Sequence, residues 1–212
     1  MSRIWQLALV ATLAWGSLST ASANPVFQGR LADGTASSTC TVSGAGKCAM
    51  FYDSDLKITI LNDWFIGFGN WRANAAAGSA QALAASKGAS ETNFATGWVL
   101  PTGDGTQLAG ALNQYLSIWN DVGGTFMALE AQFDGVQPAG YWSSTAYPDA
   151  SGEAWRFNAF FGDSAHPPQR DLLNAVAVRS GDVADSVPEP QTLALVIMAL
   201  GVGALARRRR PR

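Results

Sequence analysis

Histidine is almost missing from this chain. His166 is the only one in 212 residues, so a zinc centre or a histidine-activated nucleophile would have to be built on one imidazole. It sits in Ser164-Ala165-His166-Pro167-Pro168, which reads as an exposed loop. Cysteine is nearly as scarce: Cys40 and Cys48 fall two ligands short of a closed metal site. Ser143 and Ser144 stand outside any Gly-x-Ser-x-Gly elbow, so a hydrolase nucleophile is not indicated. Positive charge is sparse in the middle of the chain. Residues 24–187 hold eight Lys and Arg against 15 Asp and Glu, a net charge of −7. That acidity argues against nucleic acid and anionic lipid as partners of this region and fits solubility outside the cell equally well. The whole-chain value of −2 conceals it because six arginines lie in the two end segments.

A long apolar run is missing too, and its shortness at the C-terminus is informative. Thr192 to Ala206 is 15 residues without a charge. A helix of that length spans roughly 22 Å against a bilayer core of about 30 Å, short for a permanent span. Pro188-Glu189-Pro190 precedes it and Arg207-Arg208-Arg209-Arg210 follows. Prolines resist extension of the helix at its front. The arginines hold the C-terminus in the cytoplasm by the positive-inside bias. A buried C-terminal helix with a basic arm is the alternative, and the N-terminus speaks against it. There Arg3, an apolar stretch Ile4–Leu18 and Ala21-Ser22-Ala23 form the three regions of a secretory signal peptide. Cleavage after Ala23 would leave Asn24 as the first mature residue; an uncleaved anchor is the alternative, which the Ala-x-Ala site disfavours.

The order Val187-Pro188-Glu189-Pro190, apolar run, arginine cluster resembles the PEP-CTERM sorting signal. The resemblance implies an exported protein of a Gram-negative bacterium, recognised by an exosortase, held first in the inner membrane and then placed at the cell surface or outside it. The expected organisation is therefore 1–23 signal peptide, 24–187 extracytoplasmic domain and 188–212 sorting signal with a transmembrane helix over 192–206.

In an oxidising compartment Cys40 and Cys48 are expected to pair, with free thiols as the alternative. Elsewhere the pattern predicts a strand over Asp55–Leu61 and an alanine-rich helix over Trp71–Lys87 with a weak point at Gly78. Leu108, Leu112, Tyr115, Leu116 and Trp119 fall on one helical face, with Asp104 or Thr106 as cap. Short strands are expected at Tyr141–Thr145, Ala154–Phe160 and Ala175–Arg179, and a polar linker at Val183–Ser186. Helices first and strands later indicate an α+β domain.

Five segments carry a second resemblance: Tyr52-Asp53-Ser54-Asp55-Leu56-Lys57-Ile58-Thr59, Gly97-Trp98-Val99-Leu100-Pro101-Thr102, Tyr141-Trp142-Ser143-Ser144-Thr145, Ala154-Trp155-Arg156-Phe157 and Ala177-Val178-Arg179-Ser180-Gly181. Together, over about residues 50–183, they resemble the Lcl C-terminal domain, an exported bacterial family. The resemblance implies a single C-type lectin-like domain with long loops, related to formylglycine-generating enzymes. Val99 stands where the family tends to have Arg.

Trp119-Asn120-Asp121 has the composition of a lectin calcium triplet, yet its Glu-Pro-Asn partner is missing. It reads as a helix end before Gly123-Gly124. Asp53, Asp55 and Asp63 make an acidic group too small for a calcium shell. No metal and no cofactor are expected. Six tryptophans in residues 24–187 read as core and loop anchors. Trp64-Phe65-Ile66-Gly67-Phe68 and Phe160-Phe161-Gly162 are harder to bury on both faces. The functional expectation is a non-enzymatic surface or matrix component that binds exopolysaccharide, another glycan or a surface protein. The alternative is an enzyme of the sulfatase-modifying type, which the position of Cys40 and Cys48 ahead of the recognisable domain disfavours.

Overall fold

The computed structural model describes residues 26–186, apart from 66, 76–77, 88, 90–93, 107 and 150–151. Both expected end segments, with Ala21, Ala23, Asn24, Pro188–Pro190 and Arg207–Arg210, lie outside the described residues. No helix among the described residues is long and apolar enough to cross a membrane.

Two five-stranded sheets carry the fold. The first contains β1 (Phe27–Arg30), β2 (Met50–Asp53), β3 (Ile58–Leu61), β10 (Val178–Ser180) and β5 (Trp98–Val99), in that spatial order. The second contains β4 (Gly67–Gly69), β9 (Leu173–Ala175), β6 (Gly140–Ala146), β7 (Ala154–Asn158) and β8 (Asp163–Ala165). Among the described residues four short α-helices fill the connections: α1 (Trp71–Ala75), α2 (Ser79–Ser86), α3 (Gln114–Asp121) and α4 (Phe126–Gln132). The mixture of helix and sheet is the one the sequence indicates.

The chain passes between the sheets at Val176-Ala177. Both residues are fully buried, and Leu61 N–H donates to the Ala177 carbonyl at 3.0 Å. Ala175–Arg179 is therefore not one strand but two, in different sheets, with the bend at the apolar pair. β10 enters antiparallel between β3 and β5, so the end of the domain is interior to its first sheet.

Local chemistry explains the other departures from the pattern. Residues 54–57 are a turn rather than a strand, because Asp53 Oδ1 accepts from both Asp55 N–H and Leu56 N–H at 2.9 Å. The alanine-rich segment is two helices, broken at Gly78 with φ 85°. Ala80 and Ala84, one turn apart, are the buried face of α2, where small side chains permit close approach. The helix expected to begin near Leu108 begins at Gln114. Asn113, 1% exposed, caps it by accepting from Leu116 N–H at 3.2 Å. Leu108 and Leu112 lie outside it, exposed, and Asp104 closes a local turn with Thr106 at 2.9 Å. The order of helices before strands fails as well, since β1 to β4 precede every helix.

The core has two centres. Trp64 is the hub of one, with Tyr115, Phe133 and Tyr141 rings at 6.2, 5.0 and 5.4 Å. Trp98 and Trp142 anchor the other, with Phe94 and Leu100. The indoles also stitch loops: Trp142 Nε1 donates to Gly69 O at 2.9 Å and Trp71 Nε1 to Ser143 O at 2.8 Å. Asn62, 1% exposed, ties the loop before β2 to the core by donating to the Val42 and Cys48 carbonyls at 2.7 Å. Phe65, Phe68, Phe160 and Phe161 remain exposed, as their crowded spacing implies.

Candidate functional site

Two places join chemistry-bearing residues. The first is where the domain ends. Arg30 closes β1 and is 2% exposed. Its guanidinium forks onto Asp182, Nε to Oδ1 at 2.7 Å and Nη2 to Oδ2 at 2.5 Å. Nη1 donates to Gly29 O at 2.9 Å, and the Tyr52 ring lies 5.4 Å from the guanidinium carbon. Burial alone would raise the Asp182 carboxyl, but the hydrogen bonds from Arg30 and Ala184 N–H and the charge of Arg30 bring it below its ordinary value. Val183 is fully buried, with its N–H 3.3 Å from Thr59 Oγ1. A short 3₁₀ turn, Ala184–Ser186, follows. The segment expected to be a polar linker is thus docked to the first sheet, because Val183 has an apolar seat and Asp182 a buried cation.

The disulfide abuts the same strand. Cys40 and Cys48 are bonded, with Cα atoms 5.1 Å apart. A methyl group added at Gly29 would lie 2.5 Å from Cys40 Sγ and 2.8 Å from Cys48 Sγ, so only glycine admits this contact. The sulfurs, Gly29, Arg30 and Phe27 line a groove of about 550 Å³.

The second place is a cleft of about 470 Å³ between the start of α1 and the loop after β8. Asn70, Arg72, Gly152, Glu153, Pro168, Gln169 and Arg170 line it. Its walls are fixed by main-chain bonds: Trp71 N–H to Gln169 O at 2.9 Å and Gln169 N–H to Gly152 O at 2.8 Å. Gln169 Nε2 adds a bond to Glu153 O at 3.0 Å. Glu153 joins this cleft to His166, whose Nδ1 lies 2.6 Å from Glu153 Oε2. His166 stacks on Tyr147 at 3.9 Å and meets the Trp155 ring edge-on at 5.1 Å. Sequence reasoning took His166 for a bare loop residue and missed this group. The signal was there in the aromatic residues Tyr147 and Trp155, which the β6–β7 hairpin brings together.

The acidic residues do not form a metal shell. Asp63 is occupied by Lys87 at 2.8 Å and by Phe65 N–H at 2.9 Å. Asp121 does sense Asp53 and Asp55: partial burial and then their charges push its carboxyl up to about 6. Asp53 Oδ2 is buried without a hydrogen-bond partner. Among the described residues no three His, Cys, Asp or Glu are placed to hold a metal ion. Asn120 and Asp121 end α3 before Gly123 and Gly124, which have φ 109° and 68°.

The docked end of the domain decides what the adjoining tail can be read as, because the comparison with known families picks up where the described residues stop. Residues 186–210 match the PEP-CTERM protein-sorting motif. The PEP-CTERM match takes in Pro188-Glu189-Pro190, the apolar run and Arg207–Arg210. It marks an exosortase-sorted surface protein and is consistent with export to the cell surface or extracellular space of a Gram-negative bacterium. No curated protein matches the chain.

Proposed function

We propose that this protein is a non-enzymatic component of the cell surface or extracellular matrix, delivered by exosortase processing and binding a glycan through its folded domain. The observation that carries the reading is the junction at Ser186. There a sorting motif begins with no spacer after a segment docked by Arg30, Thr59 and a buried Val183. Such a protein is a folded head on a processing signal, with the chain 24–187 as the delivered part after removal of residues 1–23. The two-sheet mixed fold, with β1 and β10 in one sheet, supports the reading, and we take it as a C-type lectin-like domain on the sequence resemblance to the Lcl C-terminal family. The disulfide also supports a binding role over a sulfatase-modifying enzyme, which needs reactive thiols: both cysteines are bonded to each other.

A C-terminal epitope tag in the native host tests the sorting step. The tag is expected to separate from the domain in wild-type protein. Glu189→Ala is expected to leave insertion unchanged and full-length protein in the membrane, because Glu189 lies outside the apolar run. A tag that stays joined to the surface-exposed domain would make the tail an ordinary anchor. A glycan-array screen with and without calcium tests the binding step.

A further inference from the structure

We propose that the cleft at the start of α1 is a binding site for an acidic saccharide, a glycan whose sugars carry carboxylates. The inference rests on the glycan-binding reading and names its site and ligand class.

The argument begins with charge. Residues 24–187 are acidic, and most of their buried or well-ordered cations are already matched with carboxylates. Arg30 pairs with Asp182, Lys47 with Asp134, Lys87 with Asp63 and Arg156 with Asp163. Among the described residues the ion pairs leave out Lys57, Arg72, Arg170 and Arg179; Arg179 is turned to the Thr96 and Ser180 carbonyls, and Arg72 and Arg170 both line this one cleft. Arg72 Nε reaches only Gln169 Oε1, at 3.5 Å. The one carboxylate in the lining, Glu153, is turned to His166 at 2.6 Å. An acidic domain thus presents two guanidinium groups without ion-pair partners in the lining of one cleft. Guanidinium forks recognise carboxylates in two-point fashion.

The remaining lining suits a sugar rather than a bare anion. Asn70 and Gln169 supply amides that can both donate to and accept from hydroxyls, and the Gly152 peptide is also in the lining. The volume of about 470 Å³ falls within the range of small-ligand sites and holds more than one small anion. The cleft is pre-formed, since its two walls are joined by the main-chain bonds of Trp71 and Gln169. Beyond Glu153 lies the Tyr147–His166–Trp155 group. Aromatic surfaces of this kind pack against the apolar faces of pyranose rings, so a chain leaving the cleft on that side meets a complementary wall.

The test uses the full chain in detergent with three probes: a linear trigalacturonate, the neutral cellotriose and free citrate. Calorimetry is read for wild type and for Arg72→Ala/Arg170→Ala, with the thermal midpoint of each protein measured alongside. The expected result is trigalacturonate binding that weakens with salt and falls at least tenfold in the double variant, at an unchanged midpoint. Arg72→Lys/Arg170→Lys is expected to restore part of it, since charge without the fork is retained. Citrate is expected to compete only at far higher concentration. Trigalacturonate binding that is the same in the Ala variant overturns the assignment of this cleft. Cellotriose bound as well as trigalacturonate overturns the acidic-ligand class while leaving the glycan-binding reading standing. Citrate competing on equal terms overturns the saccharide part. If neither saccharide binds wild type, the inference fails, and a glycan array without a positive then removes the broader reading as well.

Discussion

The root of the tail and the polar cleft are both built around arginine, and they treat it in opposite ways. Arg30 is buried and makes two bonds to Asp182 and one to Gly29, with Tyr52 beneath it. Arg72 and Arg170 are exposed and left out of every ion pair among the described residues. A desolvated guanidinium is tolerable only when its donors are satisfied. A solvated one can wait for a ligand. The first region therefore spends its chemistry on holding the molecule together, and the second keeps its chemistry free.

Substitutions should separate the two regions by their size. Asp182→Ala leaves a buried cation without its partner and is expected to cost about 3–5 kcal/mol, read as a lower urea midpoint. Its pH dependence has a definite sign. The folded Asp182 carboxyl sits below its ordinary value of 3.8, so the contribution is present above that value and is lost as pH falls through the lowered one. Wild type and the variant should converge in strong acid. If they remain parallel, the ion pair is not the source of the difference.

Removal of the disulfide by Cys40→Ala/Cys48→Ala comes next, with an expected loss of about 2–3 kcal/mol from so short a loop. An unchanged denaturation midpoint would show that closing this loop does not stabilise the fold. Gly105→Ala probes the wall beside the cleft. An added methyl there collides with the Trp155 indole, and the overpacking is expected to cost about 1–3 kcal/mol. The near-ultraviolet circular dichroism of the tryptophans should change with it; an unaltered spectrum would mean that the ring is not seated against this loop.

At the small end, Arg72→Ala and Arg170→Ala should each shift stability by no more than about 0.5 kcal/mol. A large loss at either would place them with Arg30 and dissolve the contrast. Asp121→Asn should be stabilising at neutral pH and neutral in acid. The raised carboxyl binds its proton more tightly in the folded chain, so wild-type stability declines as pH climbs from 3.8 to about 6. Denaturant midpoints at pH 3.5 and pH 7.5 give the comparison, and equal gains at both would refute the electrostatic account.

How much of this was legible in the sequence follows from the range of the interactions. The tail could be read because its signal is local and sequential: a Pro-Glu-Pro motif, an apolar run and a basic cluster within residues 186–210. The helix end at Asn120-Asp121 was legible for the same reason. The clamp was not, because Arg30 and Asp182 are 152 residues apart and each looks like an ordinary surface charge. Asn62 drew no notice in the sequence, although its amide is the hub of three main-chain bonds. The start of α3 was misplaced because Leu108 and Leu112 keep helical spacing without being helical; the cap at Asn113 overrode the pattern. The cleft was invisible because it assembles residues 70–72, 152–153 and 168–170, none of which forms a motif alone.

The Arg30–Asp182 bond also sets how the molecule carries a load. On the proposed reading, with the tail held in a membrane and the head bound to a ligand outside, tension would enter the domain at residue 186 and reach Asp182 almost at once. There it meets a two-point bond to the first strand, in parallel with the strand pairing of β10 on both sides. The bond closes a loop between residues 152 positions apart, so the head cannot be unravelled from its tail end until that bond gives. A head attached in this way is moored through its first sheet.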